Sequence, residues 1–141
     1  MEGRNLYFFT AAQMVAVAAL LWLVFSLPSA WNLQRDIGTA QVIAGISGIA
    51  VARYQLGKSF AIGAQARQLV TRGLYSKIRH PIYGFGAVMV AGFVLVIQQP
   101  IFWLVFVALA VMQTLRARRE ARVLEAAFGD AYREYRRKTW F

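Results

Sequence analysis

The chain has 141 residues, 59 % of them hydrophobic, yet it carries a formal net charge of +10. With a mean hydropathy of +0.47, that pairing excludes an ordinary soluble basic domain; no nucleic-acid partner is expected, and the pairing marks membrane spans joined by basic loops. The absence of cysteine excludes disulfides and thiolate metal sites, and a single histidine with no acidic cluster beside it argues against any protein-built metal site.

In chain order, residues 6–27 are apolar apart from Thr10, Gln13 and Ser26, long enough for a spanning helix. Pro28 and Ser29 end the run, and Trp22 and Trp31 suit one interface. The run is too long for a cleavable signal peptide and no small-residue cleavage site follows it. After a short turn holding Arg35 and Asp36, residues 37–52 form a second span rich in small residues: Gly38, Ala40, Ala44, Gly45, Ser47, Gly48 and Ala50. Such a face lets another helix approach closely, and the Gly45/Gly48 side suits packing within the chain or between chains. Residues 53–79 hold six Lys/Arg and no acid. Residues 82–97 and 101–115 are two further apolar runs, joined at Gln98-Gln99-Pro100. Both fall short of the roughly 20 residues usual for a span, and a helical hairpin with little tilt accommodates them.

Charge orients these runs. The segment between the second and third runs and the tail after Leu115 are rich in Lys/Arg, whereas the other connections carry only Arg35. The two basic segments are therefore expected on the cytoplasmic side, with both termini, and they share one face of the membrane. The reading is an all-α integral membrane protein of about four transmembrane helices with a cytoplasmic C-terminal helical segment, one domain over residues 1–141. In the tail, Arg116, Arg119, Glu120 and Val123 lie on one side of a helix. Gly129 suits its C-terminus, and Asp130 suits the N-cap of a last short helix. Tyr132 and Tyr135 share a face of that helix, and Trp140 and Phe141 suit an interface anchor.

The residues able to carry chemistry are few. Pro81 fits the first turn of a helix and pushes His80 into an extended turn before it. His80 and Tyr83 then sit beside unpaired N–H groups and a positive dipole end. Each feature also has a plain structural explanation: a capping role for His80, a solvated ion pair for Arg116 and Glu120, packing at an interface for Tyr132 and Tyr135, and anionic headgroup binding for the basic residues. No nucleophile–base pair and no phosphate-binding glycine loop is present.

Two motifs taken together point further. Leu69-Val70-Thr71-Arg72-Gly73-Leu74-Tyr75 followed by Arg79-His80-Pro81-Ile82-Tyr83-Gly84 resembles the isoprenylcysteine carboxyl methyltransferase-like family of integral membrane methyltransferases. The second half of that family's pattern follows the hairpin, as Arg119-Glu120-Ala121 and then Phe128-Gly129-Asp130-Ala131-Tyr132-Arg133-Glu134-Tyr135. The resemblance runs from Leu56 to about Lys138, and implies a cofactor region over 56–84 and 116–138. It implies S-adenosyl-L-methionine, leaving as S-adenosyl-L-homocysteine, bound on the cytoplasmic side without a metal. By position, Leu69, Val70, Tyr75, Arg79, His80, Pro81, Tyr83 and Glu120 match cofactor contacts, the part played by Arg79 being less defined. Arg116 matches an arginine that faces a substrate carboxylate, and His80 is the candidate base for an acceptor that must lose a proton.

The chain departs from the pattern at Ala121, where a second glutamate is usual, at Arg72, where a small residue is common, and at its short tail. These departures concern the acceptor more than the cofactor. A lipophilic or membrane-delivered acceptor is expected: a carboxylate such as a prenylcysteine or an isoprenoid or fatty acid, or alternatively a phospholipid amine or a small thiol. Two rival readings are a noncatalytic membrane scaffold with a basic lipid-binding face and a small multidrug-type transporter. The transporter needs an ionisable group within a span, and all six acids lie outside the four apolar runs. Nothing in the sequence sets an oligomeric state.

Overall fold

The computed structural model describes Val15, residues 18–57 and residues 69–140. Half of the first expected span, Lys58, Arg67 and Phe141 lie outside those residues. Five helices are described: α1 over 18–26, α2 Leu33–Leu56, α3 Pro81–Ile97, α4 Phe102–Phe128 and α5 Asp130–Lys138. A 3-10 turn, Gly73–Ser76, lies between α2 and α3. The described residues form no sheet beyond one bridge between Ile78 and Trp140.

Two helices are longer than the apolar runs suggested. α2 begins four residues before Ile37, because the Asn32 side chain caps it by accepting from the Arg35 N–H at 3.0 Å. Arg35 is thus not in a turn but in the first turn of the helix, 1 % exposed. Its guanidinium donates to the Val24 carbonyl at 2.6 Å, the Leu27 carbonyl at 3.2 Å and the Ser29 hydroxyl at 3.0 Å, and also to the Ser29 carbonyl. It lies 4.2 Å from the centre of the Trp31 ring. The cation thereby satisfies carbonyls at the end of α1 that have no helical partner. The fourth apolar run and the tail helix are likewise one element, α4, of 27 residues. Arginine, glutamate and alanine after Leu115 are strong helix formers, so the change of polarity does not break the helix.

The largest helix–helix interface joins α2 to α3, and the small residues explain it. A Cβ on Gly45 would meet the Met89 Cβ at 2.6 Å, and one on Gly38 the Gly92 carbonyl at 2.7 Å. The Gly45/Gly48 face therefore packs within the chain. Val24, Val42 and Val96 form the core between α1, α2 and α3, with Ile46, Met89 and Phe93 around it. The α3–α4 turn is tied to the α1–α2 connection, since Gln98 Nε2 donates to the Ala30 carbonyl at 2.8 Å. Gln98 itself adopts φ +59 at the end of α3.

One described helix, α2, is both long and apolar enough to cross a membrane. α3 is apolar along its whole length but has 17 residues. The first half of α4 exposes Phe102, Leu104, Val105, Val107, Val111 and Met112, an apolar surface facing outward.

Candidate functional site

The site is assembled where the arginine-rich end of α4, the start of α3 and α5 meet the segment 69–80. That segment is held from three sides. Gly73, at φ +62, turns the chain where a side chain would be strained and would collide with Gln55 of α2. Gln55 Oε1 accepts from the Leu74 N–H at 2.7 Å. From α5, the Tyr135 hydroxyl donates to the Tyr75 carbonyl at 2.7 Å. The end of the chain pairs alongside: the Trp140 N–H donates to the Lys77 carbonyl at 2.7 Å and the Arg79 N–H to the Trp140 carbonyl at 3.0 Å. Tyr132 and Tyr135 are therefore buried inside the protein rather than placed at an interface. Asp130 is the first residue of α5 and not its N-cap, which is Gly129; the carboxylate instead takes Arg133 Nη1 at 3.1 Å.

Held in this way, His80 precedes Pro81, the first residue of α3, with the extended φ of −125 expected of a residue before proline. It is 8 % exposed. Its Nδ1 lies 3.7 Å from a Glu120 carboxylate oxygen, beyond hydrogen-bond range but close enough for charge to act. Its ring centre is 5.7 Å from that of Tyr83. Burial and the neighbouring Arg79 charge push His80 down to about 4, so the imidazole is neutral at pH 7. Glu120 is pushed up by burial, which a hydrogen bond from Tyr83 partly offsets. Its side chain is 41 % exposed, so an approaching group can reach it. Burial also raises Tyr75, and lifts Tyr135 to about 12, so both stay protonated donors.

The structure thus brings His80, Tyr83 and Glu120 together, with Pro81 next to His80 in the chain. Arg116 and Glu120 do not form the expected solvated ion pair: Glu120 turns to Tyr83 and His80, and Arg116 is exposed within electrostatic reach of Tyr83. Tyr75 supports the site through its backbone and buried ring. Arg79 lies beside the Tyr132 hydroxyl, with Nε 3.4 Å from the Trp140 carbonyl. Leu69 and Val70 are half-buried in the irregular segment ahead of the turn, and no hydrogen bond joins them to the His80 cluster among the described residues.

On the other side of His80 is a cleft of about 500 Å³, floored by Ala117 and Ala121 and lined by Arg79, Arg118, Arg122 and Arg136. Sequence reasoning passed over Arg118, Arg122 and Arg136, although the i, i+4 spacing of like charges on α4 was a legible signal. It also passed over Gln55, whose role is visible only once α2 and the turn are side by side.

A cofactor with an amino group, a carboxylate and a sulfonium fits what is present. A reachable carboxylate faces two rings, cationic side chains stand nearby, and a Cβ on Gly84 would meet open space beside them. A family model described as phospholipid methyltransferase matches residues 36–131, a stretch that contains most of α2, all of α3 and α4, and the whole His80–Glu120 cluster. No curated protein matches the chain, and no solved structure does.

Proposed function

The chain belongs to the phospholipid methyltransferase family and is a methyl-transferring enzyme, and from that premise we propose that its donor is S-adenosyl-L-methionine and its acceptor the amine of a phospholipid. The family is membrane-bound and related to the isoprenylcysteine carboxyl methyltransferases, in line with the resemblance in the motifs. Membership of an enzyme family sets aside the noncatalytic scaffold.

The observation that carries the reading is the meeting of His80, Tyr83 and Glu120 where the start of α3 faces the C-terminal half of α4. Glu120 would accept from the donor's amino group or ribose hydroxyls. Arg116, on the same side of α4, would pair with its carboxylate. Tyr83 offers a ring face to a cation, and Leu69 and Val70 border the site through their backbone. Bound there, the donor supplies a methyl group already attached to a good leaving group.

The chain's own residues then align, deprotonate and exclude water. A phospholipid ammonium must lose a proton before its nitrogen can attack. Neutral His80 would accept that proton at Nε2; burial and the Arg79 charge oppose its charging, and the Glu120 carboxylate 3.7 Å from Nδ1 is the group that would offset them. The chemistry this donor would supply is a methyl cation equivalent: a C–N bond would form as its C–S bond breaks, leaving a thioether and a methylated ammonium. Positioning supplies most of the acceleration in such an in-line displacement. The lipid would arrive from the bilayer beside Gly84, with the catalytic end cytoplasmic and the helices crossing the membrane several times.

The test is methyl transfer from labelled donor to phosphatidylethanolamine, a prenylcysteine and a small thiol, each presented in the same vesicles. Transfer to the lipid amine, lost in Glu120→Ala, supports the reading. Transfer to a carboxylate in preference to the amine overturns the acceptor assignment.

A further inference from the structure

We infer that the arginine cleft between α4 and α5 is the subsite that holds the phosphate of the lipid acceptor, with Arg118, Arg122 and Arg136 as the residues that select it. This rests on the proposed lipid acceptor, and it assigns to the cleft a role separate from the Glu120 side of His80.

Stability does not account for the cluster. Arg118 and Arg122 stand at i, i+4 on one helix, where like charges repel and destabilise the helix. Arg136 is brought beside them from α5, and Arg79 from the segment before α3. The cleft lining contains one carboxylate, Glu125, and its Oε1 accepts from Arg133 Nε at 2.9 Å. Among the described residues no acid pairs with Arg118, Arg122 or Arg136. Folding has gathered mutually repelling cations around an open volume, an arrangement that an anion relieves.

The chemistry of the side chains narrows the anion. Guanidinium groups from two helices present planar forks that match phosphate oxygens in a bidentate manner, which ammonium groups do not. Ala117 and Ala121 add no bulk to the floor, so the cleft keeps about 500 Å³, ample for a phosphodiester. His80 lines the cleft and also faces Glu120. A phosphate held by the arginines therefore sets the amine, two carbons further along the headgroup, toward the ring that would take its proton. Arg118 and Arg122 lie in the part of α4 past its apolar half, where a headgroup sits when its acyl chains remain in the bilayer.

The experiment is calorimetric titration of the purified full-length protein in detergent with three probes: monomeric dihexanoyl phosphatidylethanolamine, inorganic phosphate and S-adenosylhomocysteine. Arg118→Gln/Arg122→Gln is expected to weaken the short-chain lipid at least ten-fold and leave S-adenosylhomocysteine within two-fold. Inorganic phosphate should compete with the lipid on the wild-type protein. Ala121→Glu, which sets a carboxylate into the cleft on a helix former, should weaken the lipid in the same way and serves if the double variant does not fold. Arg119→Gln/Arg137→Gln, two arginines outside the cleft, should change neither affinity.

Unchanged lipid affinity in both cleft variants overturns the inference. So does an equal loss in the Arg119/Arg137 pair, which would mean general attraction to a basic surface. Loss of S-adenosylhomocysteine with lipid binding retained would give the cleft to the donor's carboxylate instead. Wild-type protein that binds lipid through the cleft but not S-adenosylhomocysteine overturns the proposed donor and not the cleft.

Discussion

The Tyr135 hydroxyl donates to the Tyr75 carbonyl across 2.7 Å, joining residues 60 positions apart. Through that bond the last helix holds the turn that sets His80 in place. The Thr139 hydroxyl caps the same helix by donating to the Tyr135 carbonyl at 2.9 Å, so the clamp is itself held at its end. Tyr135→Phe keeps the ring and leaves a buried carbonyl without its donor. A loss of about 1–2 kcal/mol is expected, read as a lower thermal midpoint in detergent, with a larger fall in donor affinity than the change in stability alone would give.

Glu120 is the one carboxylate in contact with the His80 imidazole among the described residues. Glu120→Ala should remove S-adenosylhomocysteine binding in a calorimetric titration, while helical content by circular dichroism stays that of the wild type. Glu120→Gln should retain part of the affinity, because an amide oxygen still accepts a hydrogen bond but no longer opposes the sulfonium charge. Affinity equal to wild type in both variants would take Glu120 out of the site.

Proton linkage gives a third test. His80 is pushed from its usual 6.5 down to about 4 in the folded protein. Above pH 6.5 the ring is neutral in both states and contributes no pH dependence. Between 6.5 and about 4 the unfolded chain binds a proton that the folded chain refuses, so stability falls as pH falls. Glu120, pushed up, works in the opposite sense over the acidic range. His80→Asn should therefore flatten the loss of stability between pH 6.5 and 4, measured by thermal melts at several pH values. In wild type, the imidazole should show no protonation shift by NMR until pH nears 4.

Arg35 makes a structural prediction far from the site. Its guanidinium serves carbonyls of Val24, Leu27 and Ser29 while fully buried. Arg35→Lys keeps the charge but lacks the planar fork and the stacking on Trp31. It should destabilise by about 1–3 kcal/mol, and Arg35→Ala by at least as much. An unchanged melting temperature for Arg35→Ala would show that these carbonyls find other partners.

Much of this protein was determined locally, by chain chemistry that needs no partner. Pro81 ends freedom at His80 and starts α3; Gly129 ends α4; apolar length marks α2 as a helix able to cross a membrane. His80, Pro81, Tyr83 and Glu120 were legible because they sit in two short motifs that resemble those of a known methyltransferase family, and each motif is a local run of residues. Tertiary structure decided what spacing cannot express. Arg35, read from sequence as a turn residue, became a buried brace because the end of α1 offered it carbonyls. Glu120 turned from the nearby Arg116 toward Tyr83 and His80, because α3 packs against that face of α4 and burial favours a donor already fixed there. Gln55, Tyr135 and Trp140 converge on one turn from elements far apart in the chain. The arginine cleft exists only because α5 folds back along α4, bringing Arg136 to Arg118 and Arg122. Contacts between distant residues depend on which helix faces are left unsatisfied after each helix has formed, and that is settled by packing, not by sequence order.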